Sequence, residues 1–272
     1  MYYNARYALG KLKLKFKEQK LKNDYHKGIK KTQNFETLKN IKGKFSGQRC
    51  FIVGNGPSLN ELDLSLLVNE HCFLFNGAYE LIEKYQFKKA YLAIEDRLVM
   101  EDHCENVNRL EYTTFIPSDL MHLVESASIV ETFFSRSSSE ISKTWPPFVD
   151  PSSDRPVFYW GGTVAYYGIQ LAAWMGFSEC YIVGVDLTYS IPSHVSQKGS
   201  VLLSNGDDPN HYNANYFGQG KRWHVPKPDR MLRAFRSLNQ KLIKSDMRIF
   251  NAGVGGNLDC FTRVNFEECF DE

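Results

Sequence analysis

Several features that would assign this chain to a class at once are missing from it. No stretch approaches the roughly 20 apolar residues that a bilayer-spanning helix needs, and no apolar signal-peptide core follows the first residues. A cytoplasmic protein is therefore expected. The six cysteines (Cys50, Cys72, Cys104, Cys180, Cys260 and Cys269) form no CxxC pair and do not cluster with histidine, which excludes a readable disulfide framework or metal motif. Net charge is only +2, so the whole-chain field argues neither way on nucleic acid, and no such partner is expected. No internal repeat is evident. Neither common phosphate loop is present, because GNGPSL lacks the GK[ST] of one and breaks the GxGxxG of the other.

What is present suits a globular domain. The 272 residues are 43% apolar and 24% charged, enough for one large core or two small ones. Aromatic residues reach 14%, which suits a site handling sugars or bases and equally suits a plain core. The positive charge is concentrated at the start, where Arg6, Lys11, Lys13, Lys15, Lys17, Lys20, Lys22, Lys27, Lys30 and Lys31 face only Glu18 and Asp24. Residues 1–45 are read as a separate basic segment, either lying on an anionic membrane surface or packing as a solvated helix on the domain. Its KLKLKF alternates with period two, while Leu9, Leu12 and Phe16 have helical spacing.

From residue 48 short apolar runs alternate with helical patterns. Strands are expected at 50–53, 72–75, 90–94, 113–116, 129–134, 180–183 and 247–250. Helices are expected at 59–67, 78–85, 163–175 and 229–243. This is the pattern of an α/β fold: a Rossmann-like, mostly parallel sheet with helices on both faces. It implies a single nucleotide-binding domain over residues 46–272. Ser- and Pro-rich residues 135–157 read as an exposed loop, and a polar stretch at about 190–225 as a lid.

Three glycine turns, GNGPS, WGGT and NAGVGG, fall at strand ends or helix starts, which in a parallel sheet share the edge where ligands bind. Glycine permits close backbone approach, and helix N-termini attract phosphate. Gly54, Asn55, Gly56, Ser58, Gly162, Thr163 and Asn251 are thus candidate nucleotide contacts, joined by the polar strand ends Asn76, Asp96 and Asp186. Ser58 either caps the following helix or touches phosphate. Asp186 either takes part in binding or simply accepts backbone hydrogen bonds at its strand end.

The stretches CFIVGNGPSLNELD, FLFNGAY and GGTVAYYGIQLAAWMGFSECYIVGVDLTY together resemble the bacterial sialyltransferases of glycosyltransferase family 42. They also resemble the related flagellin glycosyltransferases and archaeal pterin pyrophosphokinases. The resemblance covers roughly residues 48–265 and implies a variant of the GT-A glycosyltransferase architecture. It implies that Gly54, Asn55, Gly56 and Asn76 hold the nucleotide of a CMP-linked donor and that Thr163 contacts that donor. Glu95-Asp96 stands where the sialyltransferases carry asparagine, and the Asn251–Gly256 turn is closer to the flagellin branch. His224 matches the general base on a lid, with His211 as its competitor. Tyr189 and either Tyr212 or Tyr216 match hydroxyls that stabilise the departing phosphate.

The expected reaction is inverting transfer of a sialic-acid-like sugar to a saccharide hydroxyl, with no cofactor or metal. The alternatives are a UDP- or GDP-sugar donor, a pterin-type pyrophosphokinase using ATP with Mg²⁺ on Asp96 or Asp186, or a nucleotide-sugar binding module without catalysis. The resemblance and the basic segment together imply lipid-linked acceptors and a place on the inner membrane surface.

Overall fold

The computed structural model describes residue 16 and residues 33–136, 145–243 and 245–271. Most of the basic segment, and with it the expected membrane-surface helix, lies outside the described residues. Thirteen strands occur among those described: β1 Arg49–Val53, β2 His71–Phe75, β3 Lys89–Ala93, β4 Thr113–Pro117, β5 Ile129–Thr132, β6 Phe134–Ser135, β7 Phe158–Tyr159, β8 Glu179–Val183, β9 Ser196–Lys198, β10 Val201–Leu203, β11 Arg222–His224, β12 Arg248–Asn251 and β13 Thr262–Arg263. The helices are α1 Gln33–Asn40, α2 Tyr79–Tyr85, α3 Arg97–Arg109, α4 Val164–Met175 and α5 Pro228–Leu242.

Eight strands form one sheet in the order β13-β12-β8-β1-β2-β3-β4-β5. Every neighbouring pair in it is parallel. The chain leaves β1 towards β2 and later returns to β8 on the other side, so the direction of winding reverses between β1 and β8. In open parallel sheets that reversal opens a crevice at the carboxyl ends of the strands.

The apolar runs are continuous because both faces of the sheet are covered. Cys50 and Ile52 point into one layer, with Phe73, Phe75, Trp174 and Phe235; Phe51 and Val53 point into the other, with Leu74, Ile82, Leu92 and Val99. The central helix α4 is buried nearly throughout and ends at Gly176, whose φ of 90° continues into a left-handed cap. Gly168 lies mid-helix, where glycine is normally unfavourable, because a Cβ there would overlap the Phe75 ring.

The packed unit takes in residues ahead of β1. Leu38 is fully buried, its carbonyl accepts the Trp174 Nε1–H at 3.0 Å, and Phe45 stacks on Phe177 with centroids 4.9 Å apart. The expected helix over 59–67 is instead two short 3₁₀ turns, Pro57–Glu61 and Leu64–Leu67. Asp63 separates them by accepting the Ser65 amide with its side chain. Among the described residues no helix is long and apolar enough to cross a membrane.

Candidate functional site

The turns after β1 and β8 pack back to back at the reversal. Gly54 N–H donates to Val183 O, and Gly56 N–H to Gly184 O, both at 2.8 Å. A Cβ on Gly54 would overlap the Gly184 carbonyl, and one on Gly56 would overlap the Asp186 carboxylate. The GNG glycines are therefore required first by contact with the neighbouring turn. Asp186 accepts both the Ser58 amide, at 3.1 Å, and the Ser58 hydroxyl. The amide expected to attract phosphate is thus already answered by a carboxylate of the same chain, on a five-residue 3₁₀ turn rather than an α-helix. Asn251 likewise serves its own turn, donating to Leu258 O and accepting from Gly253 N–H.

Above these turns lies a cleft of about 730 Å³. Gly54, Asn55, Gly56, Asn76, Asp96, Gly162, Thr163, Asp186, Tyr189 and His224 all line it; Ser58, Asn251 and Tyr212 do not. Tyr212 instead lines a separate cavity of about 420 Å³ beside Leu59 and Glu80. The tyrosine set against the GNG turn is Tyr216, whose hydroxyl accepts from Asn55 Nδ2 at 2.9 Å and from Gly77 N–H at 3.2 Å. Asn76 adopts the left-handed conformation at φ 54°. The Oδ1 atoms of Asn55 and Asn76 are buried and find no hydrogen-bond partner among the described residues. Buried acceptors of this kind are normally satisfied, so two of them at one cleft offer places for donors from water or from a ligand. Thr163 caps α4 by accepting the Ala165 amide at 3.3 Å.

The charged groups come from β11, from just past β3 and β6, and from α5. Asp96 caps α3 through the Leu98 amide at 2.7 Å and receives His224 Nδ1 at 2.8 Å with its other oxygen. Burial pushes the Asp96 carboxyl up, but His224 and the two capping amides outweigh it and hold it below its ordinary value. The hydrogen bond and charge of Asp96 in turn raise His224 above the usual imidazole range. Glu95 is buried, and desolvation pushes it up to about 7 although Arg136, at 2.9 Å, pulls the other way. Arg136 also binds Asp119 at 2.7 Å. Arg230 is held between the Trp145 and Trp160 rings, 4.9 and 4.1 Å from their centroids.

β11 belongs to an antiparallel sheet, β11-β10-β9, inserted between β8 and α5. Arg222 straps it to α3, with Nη2 2.6 Å from Asp102 Oδ1, and Trp223 stacks on Phe217 at 4.7 Å. This strap sets His224 beside Asp96, the cap at the start of the same helix. A second pair, His211 and Asp208, also reaches the cleft; sequence reading leaves His211 a competitor or a solvated loop residue. The one sequence-level sign of it is an aspartate three residues before the histidine.

Tyr189 is exposed at the cleft, and the nearby charge of Asp186 can only raise a phenol that already titrates well above neutral. It therefore keeps its proton as a donor through the neutral range. Asp96 and Asp186, the carboxylates expected to hold Mg²⁺ in the kinase alternative, both line the cleft. Asp96 and Asp186 each have both oxygens engaged by protein donors, and among the described residues no three His, Cys, Asp or Glu gather as metal ligands.

A search of curated proteins gave no match. Among solved structures the chain is similar to the MAf glycosyltransferase from Magnetospirillum magneticum AMB-1, with 17% identity and a TM-score of 0.46, over 85% of this chain and 38% of that one. The chain thus spans well under half the length of that protein. A family match covers residues 23–192, which takes in the first seven strands, β8 and the GNG and GVD turns, and stops before His211 and His224. By that match the chain belongs to the 6-hydroxymethylpterin diphosphokinase MptE-like family.

Proposed function

We propose that this chain is an inverting glycosyltransferase that moves a sialic-acid-like sugar from a CMP-linked donor to a saccharide hydroxyl. The observation that carries the reading is a shared cleft: two buried asparagine oxygens without partners lie in it together with a carboxylate-oriented histidine. Asn55 and Asn76 suit ribose hydroxyls or a base amino group, which donate. His224, with Nδ1 held by Asp96, would take the acceptor's hydroxyl proton on Nε2. The acceptor oxygen would bond to the anomeric carbon as the bond from that carbon to the phosphate oxygen breaks, with CMP leaving on the opposite face. Tyr189 would donate to the oxygen that receives the electron pair.

The reading extends to the setting of the reaction. The basic N-terminal residues would draw the protein to an anionic membrane face on the cytoplasmic side, where lipid-linked saccharides for bacterial surface glycans are assembled.

The family description favours a second reading, diphosphoryl transfer from ATP to a hydroxymethyl group, in which His224 would remove that group's proton. Thermal shift with CMP, UDP, GDP and ATP, each with and without Mg²⁺, separates the two. CMP is expected to stabilise most and to do so in EDTA. Stabilisation by ATP alone, dependent on Mg²⁺, overturns the proposal in favour of the kinase, and UDP or GDP in first place overturns the donor assignment.

A further inference from the structure

The His211 pair is more tightly built than the His224 pair. Asp208 is buried, and its Oδ2 receives His211 Nδ1 at 2.6 Å and the Phe217 amide at 3.1 Å; Oδ1 receives the Asn210 amide at 2.9 Å. Burial pushes the Asp208 carboxyl up, and these donors together bring it below its ordinary value, so it stays ionised. The His211 ring stacks on Tyr216 with centroids 4.3 Å apart and planes 13° apart, and meets Phe217 edge-on at 5.0 Å. Tyr216 is in turn bonded to Asn55 of the GNG turn. The imidazole is therefore fixed against the turn after β1, with Nδ1 committed to Asp208; the residue lines the cleft, and Nε2 has no hydrogen-bond partner among the described residues. His224 is fixed to Asp96, the cap of α3, and is half exposed.

We propose that His211, oriented by Asp208, binds the phosphate of the nucleotide at the GNG turn and stabilises it as it departs. This rests on the nucleotide-transferase reading above and divides its chemistry between two histidines. His224 takes the acceptor proton. His211, as imidazolium, donates Nδ1–H to Asp208 and Nε2–H to the phosphate oxygen that receives the electron pair of the breaking bond. No proton need be transferred at that oxygen. The division adds a cation beside the GNG turn, where the neighbouring Ser58 amide is already taken by Asp186.

The test compares cytidine with CMP in equilibrium binding to the full chain, using wild type, His211→Gln, Asp208→Asn and His224→Gln, with melting curves to confirm folding. Wild type is expected to bind CMP more tightly than cytidine. His211→Gln should cut that preference tenfold or more with cytidine affinity unchanged; Asp208→Asn should cut it less, and His224→Gln should keep it. Equal weakening of both ligands in His211→Gln would show a brace for Tyr216 and overturn the proposal, as would an unchanged preference. If wild type favours another base, that nucleoside and its monophosphate replace the pair. If it binds no nucleotide, the transferase reading itself falls, an outcome distinct from a failure of His211 alone.

Discussion

The two walls of the cleft are held by opposite means. The wall at β1 and β8 is mainly backbone: Gly54, Gly56 and Gly184 leave out side chains so that two turns can touch through amide-to-carbonyl bonds, with the Asp186 carboxylate holding Ser58 between them. The wall at β11 is made of charge: Arg222 on Asp102, His224 on Asp96, each at least partly open to water. Steric contact is insensitive to salt and pH, whereas exposed ion pairs weaken with both. The first wall suits a fixed nucleotide seat and the second a group that must change protonation during turnover.

Substitutions should separate the walls cleanly. The largest effect is expected from His224→Ala, a fall of about 10² to 10⁴ in transfer rate with little change in melting temperature, since the residue is half exposed. A rate within threefold of wild type sinks its role as base. Gly54→Ala should show the reverse. Its Cβ cannot fit without moving the β8 turn, so a loss of about 1–3 kcal/mol is expected, or roughly 2–4 °C of melting temperature per kcal/mol, together with weaker nucleotide binding. An unchanged melting curve would mean that the turns are not locked together as described.

Asp96→Asn probes the charged wall without removing its base. Asp96 raises His224, so in the wild type the neutral, proton-accepting form appears only as pH rises past that raised value. Asparagine still caps α3 but lacks the charge, so the histidine returns towards its ordinary value and the acid limb of the rate profile moves to lower pH. A fall in maximal rate of about tenfold is expected from the lost orientation. The stability sign follows the same pair: His224 contributes below its raised pKa, and Asp96 contributes above the ordinary carboxylate range. The wild-type advantage over the variant should therefore vanish in strong acid and shrink, above the histidine's titration, to what the Asp96 carboxylate gains from its capping amides. An acid limb that stays in place would show that His224 is not the group titrating.

The backbone wall was largely legible in the sequence and the charged wall was not, for a physical reason. Steric need writes itself as glycine at fixed places, and a fully buried parallel sheet writes itself as short apolar runs, so the α/β class, the strands β1 to β5, β8 and β12 and the three turns could be read. Their contents were less legible: that Ser58 faces Asp186, and that Asn251 serves its own turn, depends on how turns distant in sequence abut. In the insertion nothing local sets the register. Tyr212 and Tyr216 are equivalent in composition, yet the Tyr216 hydroxyl reaches the GNG turn while Tyr212 touches Asn55 only through its amide and lines another cavity. The Asp208–His211 spacing resembles any polar loop until Tyr216 is known to stack on the imidazole.

The smallest effect should come from the strap itself. Arg222→Ala removes the guanidinium bonds to Asp102 and Glu101, but its own amide still donates to Asp102 Oδ2 at 3.0 Å, and the Trp223–Phe217 stack remains. Arg222 is partly exposed, so the loss in global stability should fall within about 0.2–1 kcal/mol and shrink further in high salt. Its signature should lie in position. A looser β11 lets His224 leave Asp96, so the rate should fall severalfold while nucleotide binding at the backbone wall stays at the wild-type value. Added salt should slow the wild type towards the variant, because both then lack an effective strap. If nucleotide affinity and rate fall together, the two walls are one mechanical unit and their separation by construction has no functional counterpart.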